Sequence, residues 1–330
     1  MLRRCVRPCP ALVALGLLVG CGSEPTAPVL RHPALGDIHR VSLSGTPSAV
    51  AISRAGVVYV SRPEGVSIAR ADLPSTSFTA MIPAGGIPTQ VRFSPDGETA
   101  YVGSVWPAAV TFIDVSTSEP FDTVAMPEPV WTIGLSPDGL RVYALTYRGV
   151  YVVDAVTRGV IASIPATSTG TGLTGVAFHP SAPRMYVCAR DAGTVAVIDT
   201  HADTVVTTYS VSGGRLENVA VATDGSELYA TDIERGALVI WNLASGSPTY
   251  QEIVLGSGAA DDAFDVAVTP DNAQLYVSAP ADGTVYILDR ARHTLLGSIM
   301  TDGSPSYIAF NADGTVAVIP NGSGWVHFIR

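Results

Sequence analysis

No lysine occurs among the 330 residues, so all 19 basic side chains are arginine. That excludes Schiff-base chemistry and a lysine general base, and with them a phosphate loop of the G-x-x-x-x-G-K type. Charge of either sign is scarce: 15% of residues are charged and the formal net charge is −10. Such a balance repels nucleic acid and anionic lipid headgroups, and no broad basic face can be assembled from it. No apolar stretch reaches the ~18 residues a membrane helix needs. The 4 cysteines form no C-x-x-C-H and no thiolate set, which argues against haem attachment or an iron–sulfur cluster. What remains is β-leaning and ordered, with 32 Gly, 24 Pro and 47% hydrophobic residues, rather than disordered, collagenous or coiled-coil.

The chain opens on an address. Residues 1–7 are basic and residues 11–18 are apolar but too short to span a bilayer. They lead into Leu18-Val19-Gly20-Cys21, which resembles the lipobox of bacterial lipoproteins. That resemblance implies cleavage before Cys21 and a diacylglyceryl group on its thiol. An ordinary secretory signal that happens to contain cysteine is the competing interpretation. The polar stretch Gly22-Ser23-Glu24-Pro25-Thr26-Ala27-Pro28 favours an anchor, because it suits a flexible tether. The expected organisation is a signal peptide over residues 1–20, a tether over 21–36 and a folded body over 37–330. Cys5 and Cys9 leave with the signal, so Cys188 is the one free thiol and no disulfide forms within the mature chain.

The body repeats. Tyr59, Tyr101, Tyr143, Tyr186, Tyr229 and Tyr276 stand 42, 42, 43, 43 and 47 residues apart, and Val318 takes the slot 42 further on. A short apolar strand and a tight turn precede each, as in Val91-Arg92-Phe93-Ser94-Pro95-Asp96-Gly97. Proline presets φ there, aspartate bonds the local backbone and glycine takes the positive-φ position. A further strand ending in an acid follows, as in Val197-Ile198-Asp199, and then a closing strand. Four short strands per ~42 residues without a helical period predict an all-β, seven-bladed propeller of four-stranded antiparallel blades. A β-sandwich has no reason to repeat its turn chemistry at fixed spacing. The seventh unit stops at Arg330 without its fourth strand, and Ile38-His39-Arg40-Val41-Ser42-Leu43 is expected to supply it, closing the ring.

The stretches Tyr59-Val60-Ser61, Tyr101-Val102-Gly103-Ser104, Tyr186-Val187-Cys188-Ala189 and Tyr276-Val277-Ser278-Ala279 resemble the repeats of the YVTN-type β-propellers, a group akin to the quinoprotein amine dehydrogenase β-chain. The likeness extends over the whole body. It implies a surface, periplasmic or cofactor-enzyme-associated propeller, with sugar-lactone hydrolases as a minority. Fold alone does not choose among these.

In an up-and-down blade, the loops from second to third strand and the loops entering each blade share one face, around the channel mouth. The first residue of each innermost strand then forms a ring: Ala49, Gln90, Thr132, Gly175, Asn218, Asp265 and Tyr307. Arg92 follows on the strand of Gln90, and Glu217 precedes Asn218. Neighbouring loops add Trp106, Trp131, Tyr147, Arg148 and Arg190, besides Asp232, Arg235 and Asp282. A concave mouth with a few polar groups and aromatics is the default ligand site, though the same residues can simply cap a water-filled channel. The acidic run Asp261-Asp262-Ala263-Phe264-Asp265 lacks the spacing of a calcium loop and is expected to be solvated or partner-facing. Thr167-Ser168-Thr169-Gly170-Thr171-Gly172 reads as a glycine-rich loop inserted before the fourth blade, followed by a strand and so no phosphate site.

General-base chemistry finds little support. All six histidines survive signal removal (His32, His39, His179, His201, His293 and His327), none at metal-ligand spacing and none expected at the mouth. No G-x-S-x-G elbow occurs. The expected function is a lipid-anchored, non-catalytic binding or scaffold module of the cell envelope, monomeric, without cofactor or bound metal. Its partner is an envelope protein, a glycan or a small molecule, and the lipid is its sole tie to the membrane. The alternative is a lactone or ester hydrolase in which Glu217, Asn218 and Asp265 hold a metal or activate water and an arginine polarises the carbonyl.

Overall fold

A computed structural model describes residues 37–245, 249–258 and 263–330. The signal peptide, Cys21, the tether with His32, and Asp261 and Asp262 lie outside them.

Seven four-stranded antiparallel sheets follow one another along the chain. Blade 1 comprises Val50–Ile52, Val57–Arg62, Ser67–Asp72 and Phe78–Pro83. Blade 2 comprises Pro88–Phe93, Thr99–Val105, Ala108–Asp114 and Glu119–Ala125. Blade 3 runs from Thr132–Leu135 to Val160–Pro165, and blade 4 from Leu173–Phe178 to Thr204–Ser210. Blade 5 runs from Leu216–Val221 to Tyr250–Val254, and blade 6 from Asp265–Val268 to Thr294–Met300. Blade 7 has Ala309–Phe310, Ala317–Asn321 and Trp325–Ile329, and its outermost strand is Ile38–Ser42, from the other end of the body. That strand pairs in register from Ile38 opposite Ile329 to Ser42 opposite Trp325. The Arg40 guanidinium lies 3.4 Å from the centroid of the Trp325 ring, a cation–π contact across the closure.

The core is seven layers, one between each pair of neighbouring blades. The recurring tyrosine belongs to these layers. Tyr59 meets Phe93 at 4.9 Å between ring centroids, Tyr143 meets Phe178 at 5.5 Å, and Tyr276 meets Phe310 at 5.0 Å, each ring reaching into the following blade. Val318 holds the slot in the layer between blades 7 and 1. Cys188 fills a buried place in the layer between blades 4 and 5, where burial pushes its thiol well up.

The repeated turns behave as their residues dictate. In Ser94-Pro95-Asp96-Gly97, Asp96 accepts hydrogen bonds from the Ser94 hydroxyl at 2.5 Å and the Glu98 N–H at 3.0 Å, and Gly97 sits at φ +78°. Those donors hold the Asp96 carboxyl below the usual range. The third-strand acids close their own turns: Asp114 accepts from the Thr117 N–H and the Ser116 hydroxyl, and Asp199 from the His201 and Ala202 N–H groups. An acid that recurs in this way supports its blade.

One expectation needs correction. The stretch before blade 4 is not loop throughout: Ala166–Thr169 forms one helical turn, closed by the Gly170 N–H on the Ala166 carbonyl at 2.8 Å. Pro165 caps its start with extended backbone, a residue suited to helix beginnings, and Gly170 ends it at φ +93°.

Candidate functional site at the channel mouth

The innermost strands, and the residues leading into them, surround the central channel. A cavity of about 260 Å³ inside it is lined by Val50, Arg92, Asn218, Asp265 and Tyr307, among others. Gly175 holds the equivalent place in blade 4 for a steric reason. A Cβ there would come within 2.7 Å of the Asn218 Cα, so only glycine lets the strand of blade 5 approach.

Two wider cavities open above the channel, on the face of the second-to-third-strand loops. One, about 510 Å³, is framed by the loops of blades 5, 6, 7 and 1, with Pro47, Pro63, Pro280 and Pro305 on its walls. The other, about 410 Å³, lies at blades 3 and 4 and is lined by Trp131, Tyr147, Thr174 and Asp191. Arg190 and Glu217 line both, and Tyr307 lines the second as well as the channel.

Arg190 and Glu217 are the hinge of this arrangement. Arg190 begins a short 3₁₀ turn, Arg190–Ala192, which ends at Gly193 in the left-handed region with φ +60°. Its Nη2 donates to Glu217 Oε1 at 2.5 Å. The Glu217 side chain is 6% exposed and the Arg190 side chain 34%, so the carboxylate is buried and the guanidinium reaches toward the mouth.

Below them, Arg92 Nη1 donates to Gln90 Oε1 at 2.7 Å and to the Val91 carbonyl at 2.9 Å. Burial draws the Arg92 guanidinium down from its ordinary value, opposed by Tyr307 and Asp265. Asp265 Oδ2 accepts the Ile308 N–H at 2.8 Å. Burial pushes the Asp265 carboxyl up to about 6, against the pull of the Ile308 N–H and of Arg92; Glu217 adds to the rise. Burial also raises the Tyr307 hydroxyl, helped by Asp265 and Glu217, while a hydrogen bond with Gln90 and the charge of Arg92 oppose it. Phe264 meets Tyr307 edge to face at 5.1 Å, fixing the ring over the channel.

The structure therefore gathers Gln90, Arg92, Asn218, Asp265, Tyr307, Glu217, Arg190 and Trp131 around one opening. Three candidates stand apart from it. Thr132 is buried in the innermost strand of blade 3 and lines none of the three cavities. Trp106 is 75% exposed on the rim of blade 2 and lines none either. Arg148 turns to Glu128, with Nε 3.2 Å from Oε1. Of the neighbouring loop residues, Asp232 is structural: it accepts from Arg235 Nη1, the Arg215 N–H and the Glu234 N–H. Asp282 accepts from the Tyr286 hydroxyl at 2.6 Å.

Phe264, Arg215, Asp191 and the four prolines join the mouth without having been singled out by sequence. Asp191, next to Arg190 in a short loop, carried the one usable signal.

Among the described residues, no histidine or cysteine lines the three cavities. His179 accepts from the Ser181 and Ala182 N–H groups through Nδ1 in a hairpin on the other face, where His201 joins it around a separate cavity. His293 lies 2.9 Å from Glu227, and His39 sits in the closing strand. His327 is buried in blade 7 with Nδ1 lacking a hydrogen-bond partner, and burial lowers it to about 4. Among the described residues, no three His, Cys, Asp or Glu side chains converge to hold a metal ion.

Fold and site together define a seven-bladed β-propeller with a polar, partly aromatic channel mouth. No family model matches the sequence, and no curated protein matches it. Among solved structures, the chain is similar to hydrazine synthase of Kuenenia stuttgartiensis, with a TM-score of 0.81 and 19% sequence identity. That alignment covers 90% of this chain and 98% of the other. At that identity the likeness speaks for the propeller fold alone.

Proposed function

We propose that the protein is a non-catalytic binding propeller of the YVTN-repeat kind, anchored to the bacterial cell envelope through a lipid on Cys21, which engages its ligand or partner at the channel mouth. The observation that carries this is the Arg190–Glu217 pair, shared by two open cavities and placed above a channel lined by further polar groups. A mouth with its charges already paired, on a rigid ring, is preorganised to receive hydrogen-bonding groups without spending charge on water. Support for a binding role comes also from the groups present. Among the described residues, the mouth offers donors, acceptors and rings, but no imidazole to activate a hydroxyl nucleophile.

One observation favours the second reading, a lactone or ester hydrolase. Asp265 is a channel carboxyl raised to about 6, near the working range of a general base, with Arg92 close enough to act on it electrostatically. In such an enzyme Asp265 would take a proton from water and Arg92 would stabilise the developing oxyanion.

The two separate on one experiment. Protein purified from membranes is screened against esters and lactones, and Asp265→Asn is run beside it. Absence of turnover, together with ligand or partner capture that depends on Arg190 and Glu217, is the expected result. Turnover abolished by Asp265→Asn would replace binding with catalysis. For the anchor, Cys21→Ala should move the protein from the membrane to the soluble fraction; retention in the membrane would remove the lipid from the account.

A further inference from the structure

We infer that the cavity at blades 3 and 4 binds a neutral saccharide, with Trp131 and Tyr147 as its stacking faces and Arg190 and Asp191 as its hydroxyl-recognising groups. The inference rests on the binding role proposed for the mouth and names the class of ligand it takes.

A single exposed ring is ordinary, but aromatic rings gathered on the wall of one cavity form the kind of apolar patch that marks a ligand site. Trp131 is 52% exposed and Tyr147 57% exposed, and both line the cavity. Among the described residues, neither ring pairs with another aromatic. Their backbone is nonetheless held firmly. The Trp131 N–H donates to the Leu145 carbonyl at 2.9 Å, and the Thr146 hydroxyl to the Gly149 carbonyl at 3.0 Å. The Arg148 N–H donates to Glu128 at 3.1 Å, and the Arg148 carbonyl receives the Ala166 N–H at 2.7 Å. Two exposed rings are thus carried on one braced corner, a platform that pays little ordering entropy when something lies on it.

The charges beside the platform decide what lies there. A cation meets Arg190 in the same cavity, and Glu217 is already bonded to that arginine. Cation–π attraction is also weak at rings this open to water. An anion meets Asp191 and Glu217, on a chain whose formal net charge is −10. A neutral ring with an apolar face and hydroxyl edges meets neither obstacle. Its C–H face covers indole or phenol, and its hydroxyls donate to the exposed Asp191 carboxylate and accept from the Arg190 guanidinium, which are charge-assisted bonds. Thr174 adds a hydroxyl to the same wall.

The test is a titration of the purified protein with neutral oligosaccharides built from glucose, galactose, mannose and N-acetylhexosamines, followed by calorimetry and tryptophan emission. A glucuronate-containing oligosaccharide and choline serve as charged controls. Binding of at least one neutral saccharide is expected, with a change in emission. Trp131→Ala and Tyr147→Ala should each weaken it by about tenfold or more, the scale of losing one stacked ring, at an unchanged melting temperature. Trp106→Ala, exposed but outside the cavity, should leave it unaltered. Binding that survives Trp131→Ala and Tyr147→Ala, or no neutral saccharide bound at millimolar concentration, overturns the inference. If a charged control binds instead and depends on Arg190, the saccharide falls while the binding role of the mouth stands. If nothing binds and no partner requires the mouth, both fall.

Discussion

Asp265 offers a perturbation whose sign and size follow from its surroundings. The carboxyl is 7% exposed in the channel and raised from 3.8 to about 6. The folded protein therefore holds this proton more tightly than the unfolded chain does. The contribution of Asp265 to stability is most favourable below about 3.8 and is lost as the pH rises through about 6. At pH 7.5 the ionised side chain costs the fold about 3 kcal/mol, taking ~1.4 kcal/mol for each pH unit between the two values. Asparagine keeps the shape and can still accept the Ile308 N–H, but carries no charge. Asp265→Asn is therefore expected to be more stable than the parent by about 2–3 kcal/mol at pH 7.5, by only about 0.5 kcal/mol near pH 4, and equal to it below about pH 3. Urea unfolding of both proteins across that range measures the difference directly, and other titrating groups cancel between them. A variant less stable than its parent at pH 7.5, or a gap independent of pH, would refute the reasoning.

Other consequences can be checked alongside. Tyr276 is fully buried against Phe310, so Tyr276→Ala should cost about 3–5 kcal/mol in urea unfolding; a loss under about 1 kcal/mol would contradict its place between blades 6 and 7. Removing the closing strand Ile38–Ser42 leaves Trp325–Ile329 as an open edge, and light scattering should show aggregation with a lowered melting temperature. An unchanged monomer would mean that the ring does not depend on this closure. Cys188 is buried and its thiol raised, so it should resist thiol reagents in native buffer and react in denaturant. Prompt labelling of the native protein would show that the layer between blades 4 and 5 opens.

The fold was legible because its causes are periodic. Tyrosines spaced by about one blade report a ring that reaches into the next blade each time, and the Ser-Pro-Asp-Gly turn reports a hairpin whose donors and acceptors lie within five residues. A strand-and-turn unit returning at nearly fixed spacing, even with its turn or its tyrosine altered in some blades, leaves little room for another topology. The mouth was legible in part, since position on an innermost strand places Asn218 and Asp265 in the channel, and Tyr307 enters it two residues before the strand of blade 7. Side-chain direction in the loops has no period. Nothing in sequence separates Arg190, whose side chain turns inward to Glu217, from Arg148, whose side chain turns outward to Glu128. Trp106 and Trp131 read alike as loop tryptophans, yet of the two it is Trp131 that lines a mouth cavity. The helical turn at Ala166–Thr169 was missed because four residues are too few to show a helical repeat.

The most direct test of the proposed binding role is native mass spectrometry with chemical crosslinking on protein purified from the cells that produce it, comparing the parent with Arg190→Ala. The account predicts an added mass or a crosslinked partner on the parent, lost from the variant while the variant keeps its propeller fold by circular dichroism. A parent at its bare mass with no partner at the mouth, or an adduct that the variant retains in full, would contradict it.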